Sequence, residues 1–283
     1  MENSTFGFIL KGFCKLTGGE GSCKHRRTKL HSEVIKNIDE NQFFYEGKNM
    51  YLGLKFALAI LITTQIANIS TTVYLHRGLA HRAVKFNPFL EGVLRFFVWL
   101  TTTVVRQEWV AVHRKHHAYS DQEGDPHSPA VKGFWNIQLW NYFYYRREAD
   151  KTEVIQTYSK DIPYDWFDRF SKFSPYIPMV TLALILSIFL GPIWGLVATI
   201  THYLTYVVMS ATINGACHTF GYRHHDNLAT NIWTVGLLTA GEGFHNNHHE
   251  KPANAKLGYR WYEIDIGWIT ISLFSWLRLA KVR

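Results

Sequence analysis

The sequence predicts a multi-span, all-α integral membrane protein with a polar helical cap at the ends of its spans. Three observations predict this fold: a long segment without charged residues, a second and shorter one, and clusters of histidine near the ends of both. The 283 residues are 47% hydrophobic and 16% aromatic, which is rich for a soluble enzyme. This length is ample for a hydrophobic core.

The longest uncharged segment runs from Phe173 to Tyr222 and contains no Asp, Glu, Lys or Arg. A helix needs about 20 apolar residues to cross a bilayer, so this segment can hold two crossings. Gly191 and Pro192 lie near its middle, where a turn between two helices is expected. A buried helical hairpin in a soluble core is the alternative, and the length of the run disfavours it.

A second candidate span covers residues 56–75 and ends at His76. It includes Gln65 and Asn68, which are typical of a helix that faces other helices. A third apolar stretch, 86–105, carries charged residues and has an apolar part too short to span alone. We predict that this stretch lies at the interface or packs on protein.

The C-terminal segment, residues 267–283, is aromatic and ends in basic residues. It fits an amphipathic helix at the membrane interface, and a core helix fits equally well.

The net charge of +8, from 30 Lys and Arg against 22 Asp and Glu, suits anionic lipid headgroups. No basic-aromatic motif for nucleic acid is present, so nucleic acid is not an expected partner. Residues 1–50 carry eight Lys or Arg and are predicted to form a polar, interfacial segment before a membrane domain at 51–283. Basic segments favour the cytoplasmic side, yet one crossing by 56–75 would place this segment opposite the cap. Either the segment lies on the membrane surface or the charge bias is overridden; we favour a cytoplasmic cap.

Eight of the 15 histidines fall into three tight motifs. These are the first motif (His76 and His81), the second (His113, His116 and His117) and the third (His245, His248 and His249). The second and third share the pattern H-x-x-H-H, whose spacing places all three side chains on one helix face. The first pair is spaced i, i+5 and needs a helix end or a distorted helix to share a face.

Clustered histidines near membrane spans indicate a metal site. Buried imidazoles need hydrogen-bond or metal partners, and neutral imidazole is the commonest metal-binding side chain. Eight ligands exceed the three that a catalytic zinc takes, and they suit two first-row metals, with iron fitting a nitrogen-rich site for oxygen chemistry. A zinc hydrolase remains an alternative that leaves about half of the histidines without a role. We interpret the isolated His25, His31 and His202 as ordinary polar residues.

The membrane topology supports one common site. Because the 173–222 segment crosses twice, the second and third motifs emerge on the same side. If 86–105 makes no net crossing, the first motif joins them there. All three motifs can therefore meet in one polar cap.

These residues resemble the integral-membrane fatty acyl desaturases, in particular the stearoyl-type (delta-9) acyl desaturases. The resemblance covers roughly residues 56–283 and rests on four segments: YLHRGLAHR (74–82), EWVAVHRKHHAYSDQEGDPHSP (108–129), NGACHTFGYR (214–223) and GEGFHNNHH (241–249). The segment WYEIDIGW (261–268) resembles bacterial members of the group.

The resemblance implies a di-iron centre in the helical cap, held by nine histidines. The ligands would be the eight clustered histidines together with His218, with Asn214 contributing through a metal-bound water. A hydrogen bond between helices is the alternative role for Asn214. Carboxylates that could receive the second imidazole N–H are Asp121, Asp125, Glu108 and Glu242. Exposure to solvent or pairing with Arg is the alternative for at least half of them. His127, His224 and His225 are not expected to be ligands.

The resemblance also implies the reaction. With O2 as co-substrate, such an enzyme introduces a cis double bond, delta-9 in this group, into a saturated fatty acyl-CoA or acyl-lipid. Electrons would come from a separate donor of the ferredoxin or cytochrome b5 type with its reductase. The expected location is the bacterial inner membrane or the endoplasmic reticulum membrane. Alternatives are a related membrane di-iron hydroxylase or oxidase of lipid, sterol or carotenoid substrates, and a metal transporter or sensor; ligands at the span ends disfavour the last.

Overall fold

The structure, a computed structural model, describes residues 50–283. The polar segment predicted at 1–50, and with it His25 and His31, therefore lies essentially outside the described residues. The division into this segment and a membrane domain stays a prediction.

The described residues are mostly helical. Their elements, in chain order, are α1 (Met50–Ala80), β1 (Val84–Phe86), α2 (Pro88–Thr102), α3 (Arg106–Ala118), α4 (Pro129–Lys132), α5 (Phe134–Ala149), α6 (Thr152–Tyr158), α7 (Trp166–Phe173), α8 (Ile177–Leu190), α9 (Pro192–Gly215), α10 (Trp233–Leu238), α11 (His245–Glu250), α12 (Ile266–Trp276) and β2 (Ala280–Val282). A short 3-10 turn, Ala216–His218, continues α9.

Two helices in the described part of the chain are long and apolar enough to cross a membrane by themselves. They are α1 and the extended α9, which is α9 together with the 3-10 turn that follows it (Pro192–His218). Two further pairs, α2 with α3 and α7 with α8, pass the same test only together, and they bend by 84° and 80°. The predicted turn is confirmed: Gly191, with φ 81°, separates α8 from α9, and the two helices pack side by side. With 14 residues, α8 is about 21 Å long, which is shorter than the hydrocarbon core, so of these two helices only α9 is long enough to cross alone.

Helix α2 packs on protein along one face, as predicted for 86–105. Its buried face includes Leu90, Leu94 and Val98. The helix ends inside the protein, where the His202 imidazole and the Tyr203 hydroxyl of α9 donate to the carbonyl oxygens of Thr101 (2.8 Å) and Leu100 (2.7 Å). These bonds satisfy helix-end carbonyls that no backbone N–H reaches.

A two-stranded antiparallel sheet pairs β1 with β2 in register Val84↔Val282. The all-α prediction is confirmed apart from this sheet, whose strands of three residues are too short to show an alternating pattern in the sequence. The pairing holds the C-terminus beside the end of α1. The preceding helix α12 buries Ile271 and exposes Leu273 and Trp276, so it has one core face and one free apolar face.

Candidate metal centre

Four segments bring all nine predicted histidines together. They come from the end of α1, from α3, from the 3-10 turn after α9, and from α11. One set, the five-histidine group, contains His76, His81, His113, His117 and His248. The other, the four-histidine group, contains His116, His218, His245 and His249. Within each group, one ring nitrogen of every residue lies within 4.8 Å of the others.

The last ten residues of α1, Thr71–Ala80, form a π-helix, which hydrogen-bonds from residue i to residue i+5. At its end the His81 N–H donates to the His76 carbonyl oxygen at 3.0 Å. The two ring centroids lie 4.8 Å apart. The distortion that the i, i+5 spacing requires is therefore present, and it places both imidazoles on one side.

Each H-x-x-H-H motif divides its side chains between the two groups. In α3, His113 and His117 enter the five-histidine group and His116 enters the other. In α11 the division is reversed: His245 and His249 enter the four-histidine group and His248 the five-histidine group. The expectation that each motif points at one place is thus corrected. The i, i+4 pair and the remaining histidine diverge enough to serve neighbouring centres.

Within each group the Nε2 atoms converge on one point. In the five-histidine group, the Nε2 atoms of His81 and His113 are 2.8 Å apart, and His248 Nε2 lies 3.0 Å from His76 Nε2 and 2.9 Å from His117 Nε2. In the four-histidine group, His249 Nε2 lies 3.2 Å from His116 Nε2 and 3.1 Å from His245 Nε2.

Carboxylates bind the opposite nitrogen of three of these rings. Glu242 accepts from His76 Nδ1 at 2.7 Å, Asp125 from His116 Nδ1 at 3.0 Å, and Asp121 from His218 Nδ1 at 2.9 Å. Each bond keeps the ring proton on Nδ1 and leaves a lone pair on Nε2.

The Nε2 lone pairs that result lack a full set of hydrogen-bond donors among the described residues. His218 Nε2 is buried and makes no hydrogen bond in the described structure. Lone pairs of neighbouring Nε2 atoms facing one another at about 3 Å repel unless a cation lies between them. The residues present therefore fit two metal ions, and imidazole-rich sites suit first-row transition metals.

Burial keeps these imidazoles in the neutral form that binds metal. It is the main cause that lowers the pKa of His113, His117, His245, His248 and His249 well below 6.5, and neighbouring imidazoles lower it further. The carboxylate of Asp125 stays ionised: although burial opposes it, the hydrogen bonds from the His116 ring and the His127 N–H hold its pKa well below the ordinary value.

The two asparagines of the third motif anchor α11. Asn246 donates to the carbonyl oxygens of His225 and Ala229 and accepts from the N–H groups of His224 and His225. Asn247 donates to the Leu257 carbonyl oxygen (2.8 Å) and to Glu263 (3.0 Å). Both side chains are fully buried, so they fix the helix that carries three of the nine histidines. The sequence reasoning missed this role.

Glu263 belongs to the WYEIDIGW segment and acts as a common acceptor near α11. Besides Asn247, it accepts from the Tyr222 hydroxyl (2.7 Å), the His224 ring and the N–H groups of Tyr259 and Arg260. In the same segment Asp265 forms a buried ion pair with Arg77, which follows His76. The sequence held one signal for both roles. Glu263 and Asp265 are carboxylates with uncharged immediate neighbours in an apolar segment, so each needs a partner from elsewhere in the chain.

The remaining predicted or excluded residues lie as follows. Glu108 contacts no histidine of the two groups and pairs with Arg146 and Lys172, which is the alternative named for these carboxylates. The Asn214 amide donates to Asn141 at 3.0 Å, the helix-to-helix contact named as its alternative; a role through water stays a prediction.

Of the histidines set aside, His127 is buried beside His116 and could join a group with His116 and Asp125, although Pro126 and Pro129 flank it.

An open cavity of about 400 Å³ on the surface of the cap reaches both groups. His117 of one group and His249 of the other line it, together with Ser120 and Asn227. A second cavity of about 510 Å³ reaches the five-histidine group alone, at His81.

Comparison with known proteins decides what kind of chain builds this site. Residues 53–268 match the sequence profile named fatty acid desaturase. The chain belongs to the fatty acid desaturase family. It is therefore an oxidoreductase that acts on fatty acyl chains, and its apolar helices fit a membrane-associated desaturase.

Characterised relatives cover most of this desaturase. It is 36% identical over 230 residues to an sn-1 stearoyl-lipid 9-desaturase of Synechocystis sp., covering 79% of this chain and 70% of the relative. It is 34% identical over 265 residues to an sn-1 stearoyl-lipid 9-desaturase of Anabaena variabilis, covering 85% and 91%. An acyl-CoA C20 Delta5-desaturase of Anemone leveillei is 33% identical over 222 residues, covering 74% and 67%.

Proposed function

We propose that this desaturase introduces a cis delta-9 double bond into a stearoyl-type chain, using O2 and two iron ions held by the two histidine groups. The observation that carries the proposal is the pair of converging Nε2 sets, each with carboxylates on the far side of its rings. The names of the cyanobacterial relatives support the delta-9 position and a lipid-bound substrate. The Anemone leveillei relative makes acyl-CoA the second substrate form to test.

The chain's own residues would bind the two ions and orient the rings that hold them. Nine histidines would hold the ions through Nε2, and Glu242, Asp121 and Asp125 keep the protons of three of them on Nδ1. When bound, the two irons supply the O2-dependent oxidation that no side chain can perform. Overall, two hydrogens leave adjacent methylenes, and O2 takes these with two further electrons and two protons to give two waters. A separate ferredoxin or cytochrome b5-type donor would supply the two electrons.

The position of the histidine groups supports a membrane lipid as the substrate. His76 lies near the end of α1 and His218 at the end of the extended α9, the two helices long enough to cross a membrane. The centre thus lies where these helices leave the apolar region, within reach of an acyl chain from the bilayer. We propose that this side is cytoplasmic, where a soluble electron donor is available.

The test is expression in cells that make no unsaturated fatty acids, followed by lipid extraction and location of the double bond by mass spectrometry. We expect a delta-9 monounsaturated C18 chain, first in membrane lipid and with no need for acyl-CoA. A hydroxylated lipid without a new double bond would contradict the proposal and favour the hydroxylase alternative. A delta-5 product would contradict the proposed position of the double bond. A product formed only from acyl-CoA would contradict the proposed lipid-bound substrate.

A further inference from the structure

Arg114 lies between two histidines of the second motif but points away from both groups, toward the end of α1. All five of its guanidinium N–H donors are used. Nε donates to the Ala80 carbonyl oxygen (2.9 Å), Nη2 to the Leu79 carbonyl oxygen (2.7 Å), and Nη1 to the Tyr158 carbonyl oxygen (2.9 Å). The remaining donors of Nη1 and Nη2 bond both oxygens of Asp161, at 2.5 Å and 3.2 Å.

The two α1 carbonyls are the last of the π-helix, immediately before His81. Helix-end carbonyls have no backbone donor within the helix and need an outside partner. Arg114 supplies that partner to two successive carbonyls with one planar group. The backbone that carries His81 is thereby joined to α3, which carries His113, and the two Nε2 atoms meet at 2.8 Å.

The guanidinium is itself held from the other side. Tyr158 is the last residue of α6, and Asp161 lies in the connection between α6 and α7. Arg82 also pairs with Asp161 at 2.7 Å. The hydrogen bond from Arg114 is the largest cause that holds the pKa of Asp161 at about 2, below its ordinary 3.8. Asp161 therefore stays ionised and keeps the guanidinium group of Arg114 oriented toward α1.

The two histidine groups differ in how their rings are supported. Two of the four rings in the four-histidine group have a carboxylate partner, those of His116 and His218. Within residues 50–283, one ring of the five-histidine group has such a partner, that of His76. Among the described residues His81 has no carboxylate partner, so its position depends on the backbone.

We propose that Arg114 is a positioning residue for the five-histidine group, acting on His81 through the last carbonyls of α1. The proposal rests on the proposed function in that iron is the ion bound. Lysine keeps the charge but offers a single ammonium group, so it cannot bond two successive carbonyls and a carboxylate in one plane. Loss of such indirect support for a ligand lowers metal affinity by roughly 10–100-fold.

The test compares Arg114→Lys with Arg95→Lys in the full-length protein purified from iron-supplemented cells. Arg95 is the matched control, because its side chain has the same 17% exposure and bonds both oxygens of Asp165, yet it contacts no histidine motif. Iron per chain is measured by mass spectrometry, and the unfolding midpoint is measured for the metal-free forms. We expect two irons in wild type and in Arg95→Lys and about one in Arg114→Lys, with similar metal-free midpoints for the two variants.

Two irons in Arg114→Lys would overturn the proposal, as would equal iron loss in both variants. Wild type with fewer than two irons would instead contradict the proposed function. If Arg114→Lys does not fold, Asp161→Asn replaces it, since that change releases the guanidinium group while leaving the arginine. Iron loss in Asp161→Asn supports the positioning role, and full iron content overturns it.

Discussion

His76 Nε2 lies 3.0 Å from His248 Nε2, although the two residues are 172 positions apart in the chain. Glu242 accepts the Nδ1 proton of His76, so the Nε2 atom that faces His248 carries a lone pair. This contact joins the end of a membrane-spanning helix to a short helix of the cap. A cation shared by the two rings, as we propose, would account for it.

Replacing His248 should remove one of the two irons and, with it, desaturation. In His248→Ala the five-histidine group loses the ring whose Nε2 contacts both His76 and His117. We expect iron to fall by about half and the unsaturated product to fall below detection, as measured by metal analysis and lipid chromatography. His225→Ala is the control. Because His225 lies outside both groups, this variant should keep the iron content of the wild type. Full iron and activity in His248→Ala would refute its assignment as a ligand.

The carboxylate behind His116 should control metal affinity without binding metal. Asp125 accepts from His116 Nδ1 at 3.0 Å, and Asp125→Asn replaces this charge with a neutral amide. We expect metal affinity to fall roughly 10–100-fold, measured by competition with a chelator. Asp150→Asn, at an exposed carboxylate that pairs with Arg146 and contacts neither histidine group, should leave affinity unchanged. Equal affinity in both variants would show that Asp125 does not support the site.

His202 should contribute to stability and not to the metal centre. Its ring donates to the Thr101 carbonyl oxygen at the buried end of α2, which His202→Ala leaves without that donor. An unsatisfied buried carbonyl costs about 1–3 kcal/mol in free energy of unfolding, so the variant should unfold earlier in denaturant. Iron per chain should stay at the wild-type value. A loss of iron at unchanged stability would reverse this assignment.

The metal-free protein should lose stability as pH falls. Burial holds the pKa of His113, His245 and His248 well below 6.5, so these rings stay neutral in the folded chain. In the unfolded chain the same rings take up protons below about pH 6.5. The unfolded state then binds more protons, so the free energy of unfolding decreases as pH falls through that value. Thermal midpoints measured from about pH 8 to about pH 5 should therefore decrease, and a flat profile would contradict the buried, neutral cluster.

Spacing along a helix limits which side chains can meet, and it pointed to the eight clustered histidines; the family resemblance added His218. The spacing also required a distortion between His76 and His81, which the π-helix at the end of α1 supplies. The sequence did not predict how each H-x-x-H-H motif divides between two groups, because that depends on the position of α3 relative to α11. The roles of Asn247, Glu263 and Arg114 were equally hidden, since their partners lie far away in the chain or on its backbone.

The most direct test of the two-iron centre is an anomalous difference map from crystals of the protein, recorded above and below the iron absorption edge. The account predicts two iron peaks, one among the Nε2 atoms of the five-histidine group and one among those of the four-histidine group. A single peak, or peaks at the zinc edge alone, would contradict it.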